Sequence, residues 1–288
     1  MCGIVAYAGR EQATPILLEA LSRLEYRGYD SAGLAVQNGT GLETRRAAGR
    51  LQALGSLLDD EPVIGESGIA HTRWATHGAP TVDNAHPHQD CSGEIAVCHN
   101  GIIENADVLR AMLMQRGHEF RSDTDTEVLA HLIEEHWLPP LHLSVARALS
   151  MVEGTYGLAV MSSREPGRIV CARRGSPLLI GLGNGMFFAA SDAAAVLPYT
   201  RRVVYLDDGE LAVLDSSGCD ILSTDAMSRI VKPVEELDWD LQAVERGGHS
   251  HFMLKEIHEQ PTSLEATMRG RIQRAPAAVK LGGLSDVA

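Results

Sequence analysis

Cys2 stands directly behind Met1 and leads into the apolar run Gly3-Ile4-Val5-Ala6, which has the composition of a buried strand. Removal of Met1 would place a free α-amine and a thiol on one residue at a rigid sheet edge, a base beside its nucleophile. An α-amine of pKa about 7.7–8.0 is substantially neutral near physiological pH and takes a proton from a thiol of pKa about 8.5, directly or through one water. A peptide nitrogen has no basic lone pair, so a chain that kept Met1 would fold and lack this chemistry. A cysteine at position 2 is ordinarily accidental; the apolar strand behind it is what gives this one weight.

Two further clusters carry candidate chemistry. In His71-Thr72-Arg73-Trp74-Ala75-Thr76-His77-Gly78 a strand-like run turns into a glycine- and proline-containing loop. Taken alone, Arg73 is a solvated charge and Trp74 a core anchor. In Cys98-His99-Asn100-Gly101-Ile102-Ile103-Glu104-Asn105 a strand end meets a turn and then a helix start. Asn-Gly is an ordinary turn dipeptide, but an amide side chain and the next backbone N–H can also converge on one oxygen, as an oxyanion hole requires. Asp125 opens a helix, where an acidic residue complements the helix dipole.

Other combinations are set aside on geometry. Cys98 and His99 are strand neighbours and point to opposite faces, so they cannot serve one site. Joining them to His86, His88 and Cys91 as zinc ligands does not match paired-ligand spacing, and no metal is expected. His118, His131, His136 and His142 lie in or near helical segments and are read as surface or packing residues. Gly181-Leu182-Gly183-Asn184-Gly185 joins two short strands and enters no helix, so it is a hairpin turn with no nucleotide role.

The elements that must position these residues alternate short strands with few helices. Strands are expected at 3–8, 31–37, 68–72, 95–99, 156–161, 169–172, 178–180, 186–190, 203–206 and 211–214. Several are separated by links too short for a helical crossover, which favours antiparallel neighbours over a doubly wound parallel sheet. The first helix should have Thr14 as N-cap and Pro15 at its first position, with Ile16, Leu17, Leu21 and Leu24 on one face. Further helices are expected at 106–115, 126–137 and 143–151, the second opened by a Thr124–Glu127 capping box. The chain divides into a body over 1–215, a polar irregular linker over 216–248 and a helical segment over 249–288.

Composition narrows the function classes. The chain has 288 residues, 44% hydrophobic and 22% charged, enough to bury a large core. Its formal charge of −13 argues against a generic nucleic-acid or anionic-membrane surface. Residues 175–191 are poor in charge but broken by Pro177, Asn184 and glycines, so no membrane span is read. The start lacks the basic and apolar regions of a secretory signal. Five scattered cysteines suit a reducing cytoplasm better than a disulfide framework.

Taken together, Cys2-Gly3-Ile4-Val5, residues 24–33 (Leu-Glu-Tyr-Arg-Gly-Tyr-Asp-Ser-Ala-Gly), 71–78, 99–105 and 122–128 resemble the glutaminase domains of the glutamine:fructose-6-phosphate amidotransferases. These are class II glutamine amidotransferases. The resemblance runs to about residue 214 and resumes at 251–257; the 25–33 stretch separates this family from amidotransferases of purine or asparagine synthesis. It implies an α+β N-terminal-nucleophile hydrolase fold, a four-layer αββα sandwich with two antiparallel sheets. It implies L-glutamine as substrate, no cofactor, and hydrolysis of the side-chain amide to glutamate and ammonia. Carried onto matching positions, Cys2 is the nucleophile with its own amine as base, and Asn100 with the Gly101 N–H stabilises the oxyanion. Arg73 and Asp125 grip the amino-acid head, a pairing that independently suits a zwitterion. Thr76 and His77 complete the glutamine loop, Trp74 sits where ammonia leaves, and His86 and Arg27 support the pocket.

The family continues into two sugar-isomerase domains that bind fructose 6-phosphate, and its full-length enzymes are expected to be homo-oligomers; this sequence ends at Ala288, about where those domains would begin. Ala6 stands where the family usually has glycine. Rival readings are a stand-alone amidotransferase subunit serving another synthase, a non-catalytic module with a vestigial site, and a thiol peptidase using Cys2 and a histidine.

Overall fold

A computed structural model describes residues 2–39, 41–75, 78–238, 249–268, 272–274 and 277–279. Two compact units divide the chain at Asp238 and Trp239. The first is built on strands β1 (Gly3–Ala8), β2 (Ser31–Gln37), β3 (Leu42–Ala48), β4 (Ser67–Arg73), β5 (His88–Gln89), β6 (Ile95–Ile103), β7 (Gly154–Ser162), β8 (Ile169–Arg174), β9 (Leu179–Leu182), β10 (Phe187–Ala190), β11 (Arg202–Tyr205), β12 (Glu210–Asp215), β13 (Gly218–Ser223) and β14 (Glu235–Glu236). Its helices are α1 (Ala13–Ser22), α2 (Leu51–Asp60), α3 (Ala106–Gln115), α4 (Glu127–Glu135) and α5 (Leu141–Leu149).

The strands form an eight-stranded sheet, β14-β11-β9-β10-β1-β4-β2-β3, and a six-stranded sheet, β13-β12-β8-β7-β6-β5. Every strand pair within them is antiparallel. Side-chain alternation separates the layers. Ile4, Ala6 and Ala8 of β1 meet Ala96, Cys98, Ala159 and Cys171 between the sheets, and most of these are small enough to let two sheets approach closely. Ile95, Val97, Leu158 and Val160 face the other way and pack against α3, α4 and α5. Helix α1 lies on β1 and β4, and α2 on β3 and β2. The result is the expected four-layer αββα sandwich. Ala6 is fully buried in the inner layer, so its methyl is accommodated where the family pattern has glycine.

Several local expectations are corrected. Helix α1 begins at Ala13 with Gln12 as N-cap, because the Thr14 hydroxyl donates to the Val63 carbonyl at 2.6 Å. The Thr124–Glu127 capping box does not form. Thr126 is the N-cap of α4, and the Glu127 carboxylate instead accepts from the Arg121 and Ser122 backbone N–H groups at 2.8 and 2.7 Å. Helix α4 stops at Glu135 and α5 runs Leu141–Leu149, two residues earlier than the expected bounds. The Asn100-Gly101 dipeptide is not a turn: β6 continues through it to Ile103, paired with β7. Strand β13 lies inside the segment expected to be irregular.

The second unit holds α6 (Phe252–Met268), with Pro261 inside it, and a hairpin of β15 (Ile272–Arg274) and β16 (Ala277–Val279). No helix among the described residues is long and apolar enough to cross a membrane.

Candidate active site

The site forms where the start of β1, the end of β4 and the C-terminal half of β6 meet across the two sheets. β1 pairs with β4 so that Gly3 lies opposite Thr72, which carries Cys2 beside Arg73 and Trp74. The Cys2 sulfur accepts from the Trp74 backbone N–H at 3.2 Å and lies 3.6 Å from the Trp74 carbonyl oxygen. The Cys2 carbonyl accepts from Arg27 Nε at 3.2 Å and from Asn100 Nδ2 at 3.1 Å. One residue is thereby tied to three separate segments.

Burial pushes the Cys2 thiol pKa up, while the Trp74 N–H and the Arg73 and Arg27 guanidinium groups pull it down. The net direction is up, which favours the protonated thiol over a free thiolate. The close approach explains a residue of the 24–33 motif. A Cβ on Gly28 would stand 2.7 Å from the Arg73 carbonyl carbon and 2.8 Å from the Trp74 nitrogen, so any side chain there displaces the backbone that holds the sulfur.

Asn100 is oriented from behind. Its Oδ1 lies 3.0 Å from His71 Nε2, a contact that requires the proton on that nitrogen and leaves Nδ2 aimed at Cys2. His71 is buried and stacked on His86 at 4.1 Å, and burial lowers its pKa to about 3, so the ring is neutral. His86 Nδ1 accepts from the His99 backbone N–H at 3.3 Å, which likewise makes it a neutral ring with the proton on Nε2. Gly101 adopts φ +135°, and a Cβ there would collide with the Thr155 carbonyl oxygen, so only glycine lets β6 pass this point.

Arg73 and Asp125 face the same cleft as Cys2, Asn100 and Gly101. Arg73 is buried; its NH1 and NH2 donate to the Ala79 and Gly78 carbonyls at 3.2 and 3.3 Å. Asp125 Oδ2 accepts from the Ile103 N–H at 2.8 Å, which fixes the carboxylate just before α4. The charges of Asp30 and Asp125 both act on Arg73. Trp74 is about two-fifths exposed at the rim and meets Tyr29 edge-on at 5.4 Å. Arg27 reaches back from Cys2 to Asp192, with NH1 2.8 Å from Oδ2. Thr76 and His77 lie outside the described residues.

Cys98 and His99 diverge: Cys98 is sealed between the sheets, while His99 Nδ1 lies 2.9 Å from Thr126 Oγ1. Supporting residues that sequence reasoning passes over are His71, Asp30, whose Oδ2 accepts from the Ala75 N–H at 2.8 Å, and Ser191, whose hydroxyl accepts from the Ile4 N–H at 3.0 Å. His71 and Asp30 sit inside the family motifs, within reach of sequence reasoning; Ser191 and Asp192 come after a strand far along the chain and carry no local signal.

Known proteins share this sequence and fold. A glutamine amidotransferase domain model matches residues 71–198. The glutamine–fructose-6-phosphate aminotransferase (isomerizing) of Chlorobaculum tepidum is 50% identical over 99% of this chain and 47% of its own length. The protein of the same name from Thermus thermophilus is 51% identical over 98% of this chain and 46% of its own. The chain thus spans about half the length of the curated relatives it matches. Among solved structures, glutamine phosphoribosylpyrophosphate amidotransferase from B. subtilis superposes with a TM-score of 0.69 at 26% identity, covering 78% of this chain and 50% of that one. The chain thus carries a glutamine amidotransferase domain and is similar over nearly its whole length to the glutamine–fructose-6-phosphate aminotransferases.

Proposed function

We propose that this chain is the glutamine-hydrolysing portion of a glutamine–fructose-6-phosphate aminotransferase, and that Cys2, freed of Met1, is its nucleophile. The observation that carries the assignment is the convergence on Cys2 of the Trp74 N–H at its sulfur and the Asn100 amide at its carbonyl. The Cys2 amine takes the thiol proton, the sulfur attacks the glutamine side-chain carbonyl carbon, and the carbonyl electrons move onto oxygen. Asn100 Nδ2 and the Gly101 N–H receive that oxyanion. The tetrahedral adduct collapses with protonation of the leaving nitrogen by the Cys2 ammonium. Ammonia departs, and water hydrolyses the γ-glutamyl thioester to glutamate, regenerating the thiol.

Arg73 takes the substrate α-carboxylate and Asp125 its α-ammonium, each by a charge-assisted contact. His86 and Arg27 support the pocket, Trp74 guards the exit of ammonia, and Thr76 and His77 complete the set of residues that binds glutamine. The ammonia aminates fructose 6-phosphate on sugar-isomerase domains that follow in the full-length, homo-oligomeric, cytoplasmic enzyme, to which the segment from 249 leads. The test is to incubate the processed chain with L-glutamine and, separately, with a γ-halomethyl ketone analogue of glutamine. Glutamate release together with alkylation at Cys2 is expected. Failure of processed protein to release glutamate, or alkylation at Cys91 in place of Cys2, would overturn the assignment.

A further inference from the structure

A second constellation lies apart from the active site. Cys91 comes from the turn between β5 and β6, His118 from the connection between α3 and α4, and His131 and Glu134 from one face of α4. Their ligand atoms converge within 4.8 Å of one another. Sequence spacing speaks against joining Cys91 to His86, His88 or His99, and gives His118 and His131 no role beyond surface or packing; folding gives Cys91 different partners.

The distances are those of a coordination shell. Zn–N bonds of about 2.05 Å and a Zn–S bond of about 2.3 Å at tetrahedral angles place ligand nitrogens about 3.4 Å apart and sulfur about 3.6 Å from nitrogen. Here the two Nδ1 atoms of His118 and His131 are 3.3 Å apart, and Cys91 Sγ lies 3.6 and 3.5 Å from them. Glu134 Oε2 is 3.1 Å from His118 Nδ1 and 3.4 Å from His131 Nδ1.

Proton placement points the same way. His118 Nε2 lies 3.1 Å from Glu135 Oε2, and His131 Nε2 lies 3.6 Å from Glu127 Oε1. The Glu135 carboxylate favours the proton on His118 Nε2, which turns the Nδ1 lone pair of that ring inward. Two imidazole nitrogens, a sulfur and a carboxylate oxygen, brought from three segments of the chain, face one point. We propose that Cys91, His118, His131 and Glu134 bind one Zn²⁺ ion in a closed four-ligand site.

Binding releases the Cys91 thiol proton to solvent. With all four positions taken by protein, the ion is structural and performs no catalysis. It clamps the β5–β6 turn and the α3–α4 connection onto α4, the helix that begins just after Asp125 and Thr126.

The test uses the full chain, free of affinity-tag histidines, and Zn²⁺ or Co²⁺ as probe. Wild-type protein is expected to retain one Zn²⁺ per chain after dialysis. A free zinc concentration a hundredfold above the dissociation constant should raise the Tm by about 5–10 °C over chelator-treated protein. The Co²⁺ form should show the intense visible bands of four-coordinate cobalt and a sulfur-to-cobalt charge-transfer band. Cys91→Ser, at an exposed turn, should lose the charge-transfer band and most of the thermal shift, whereas Cys2→Ala should keep both. Absence of stoichiometric zinc in wild-type protein would overturn the proposal. So would a cobalt spectrum unchanged by Cys91→Ser, or one abolished by Cys2→Ala.

Discussion

Asn100→Ala tests the oxyanion assignment, and His71 makes the test quantitative. Asn100 offers Nδ2 toward Cys2 only because His71 Nε2 occupies its Oδ1 at 3.0 Å. Removing one preorganised oxyanion donor costs about a hundredfold to a thousandfold in kcat, with KM little changed because the donor acts on charge that develops after binding. His71→Phe keeps a flat ring to stack on His86 but deletes the orienting bond. A hydrogen bond of about 0.5–1.5 kcal/mol corresponds to about a twofold to twelvefold loss in kcat. Since His71 acts only through Asn100, the second substitution should cost nothing further in the Asn100→Ala background. Steady-state glutamate release across the four proteins of this cycle supplies the coupling directly. A kcat for Asn100→Ala within about threefold of wild type, or fully additive losses in the double variant, would refute the reasoning.

Further outcomes follow from the same geometry. Arg73→Ala removes a charge-assisted contact worth about 1.5–3 kcal/mol, so KM for glutamine should rise about tenfold to a hundredfold in initial-rate assays; an unchanged KM would take Arg73 out of the pocket. Gly28→Ala drives a methyl into the Arg73–Trp74 backbone, and both Tm and kcat should fall; a variant unaffected in both would show that this contact does not hold Cys2. Acid stability carries a signature of His71, whose pKa is about 3 in the folded chain against about 6.5 unfolded. The unfolded chain binds the extra proton between those values, so stability is complete above about pH 6.5 and is lost as pH falls toward 3, by about 1.4 kcal/mol per pH unit for this ring. Denaturant titrations of His71→Phe should show that slope reduced by one proton; an identical slope would contradict the buried neutral assignment.

What could be seen in the sequence divides along local and long-range physics. Strands 3–8 and 31–37 and helix 106–115 emerge with their observed bounds, because apolar runs and a 3.6-residue stripe are local signals. Strand β3 escapes notice: Leu42–Ala48 reads LETRRAA, an edge strand whose half-buried charged residues hide any apolar alternation. Helix α2 escapes because it starts with no side-chain cap and has Gly55 at its centre. Glu127 illustrates the limit of motif reasoning, since the carboxylate has better partners in the Arg121–Ser122 backbone than in a capping box. The active-site residues are legible because they sit in contiguous motifs. The Cys91–His118–His131–Glu134 cluster is not, since three separate segments contribute and only the fold brings them together.

The freed terminus of Cys2 carries the most weight. Its most direct test is to compare glutaminase turnover of protein shown by intact mass to lack Met1 with that of protein blocked from processing by a bulky residue inserted between Met1 and Cys2. Turnover should track the processed fraction, and its pH profile should rise through the α-amine pKa near about 7.7–8.0 as that amine becomes neutral. Full turnover by molecules that retain Met1 would contradict the role given to that amine.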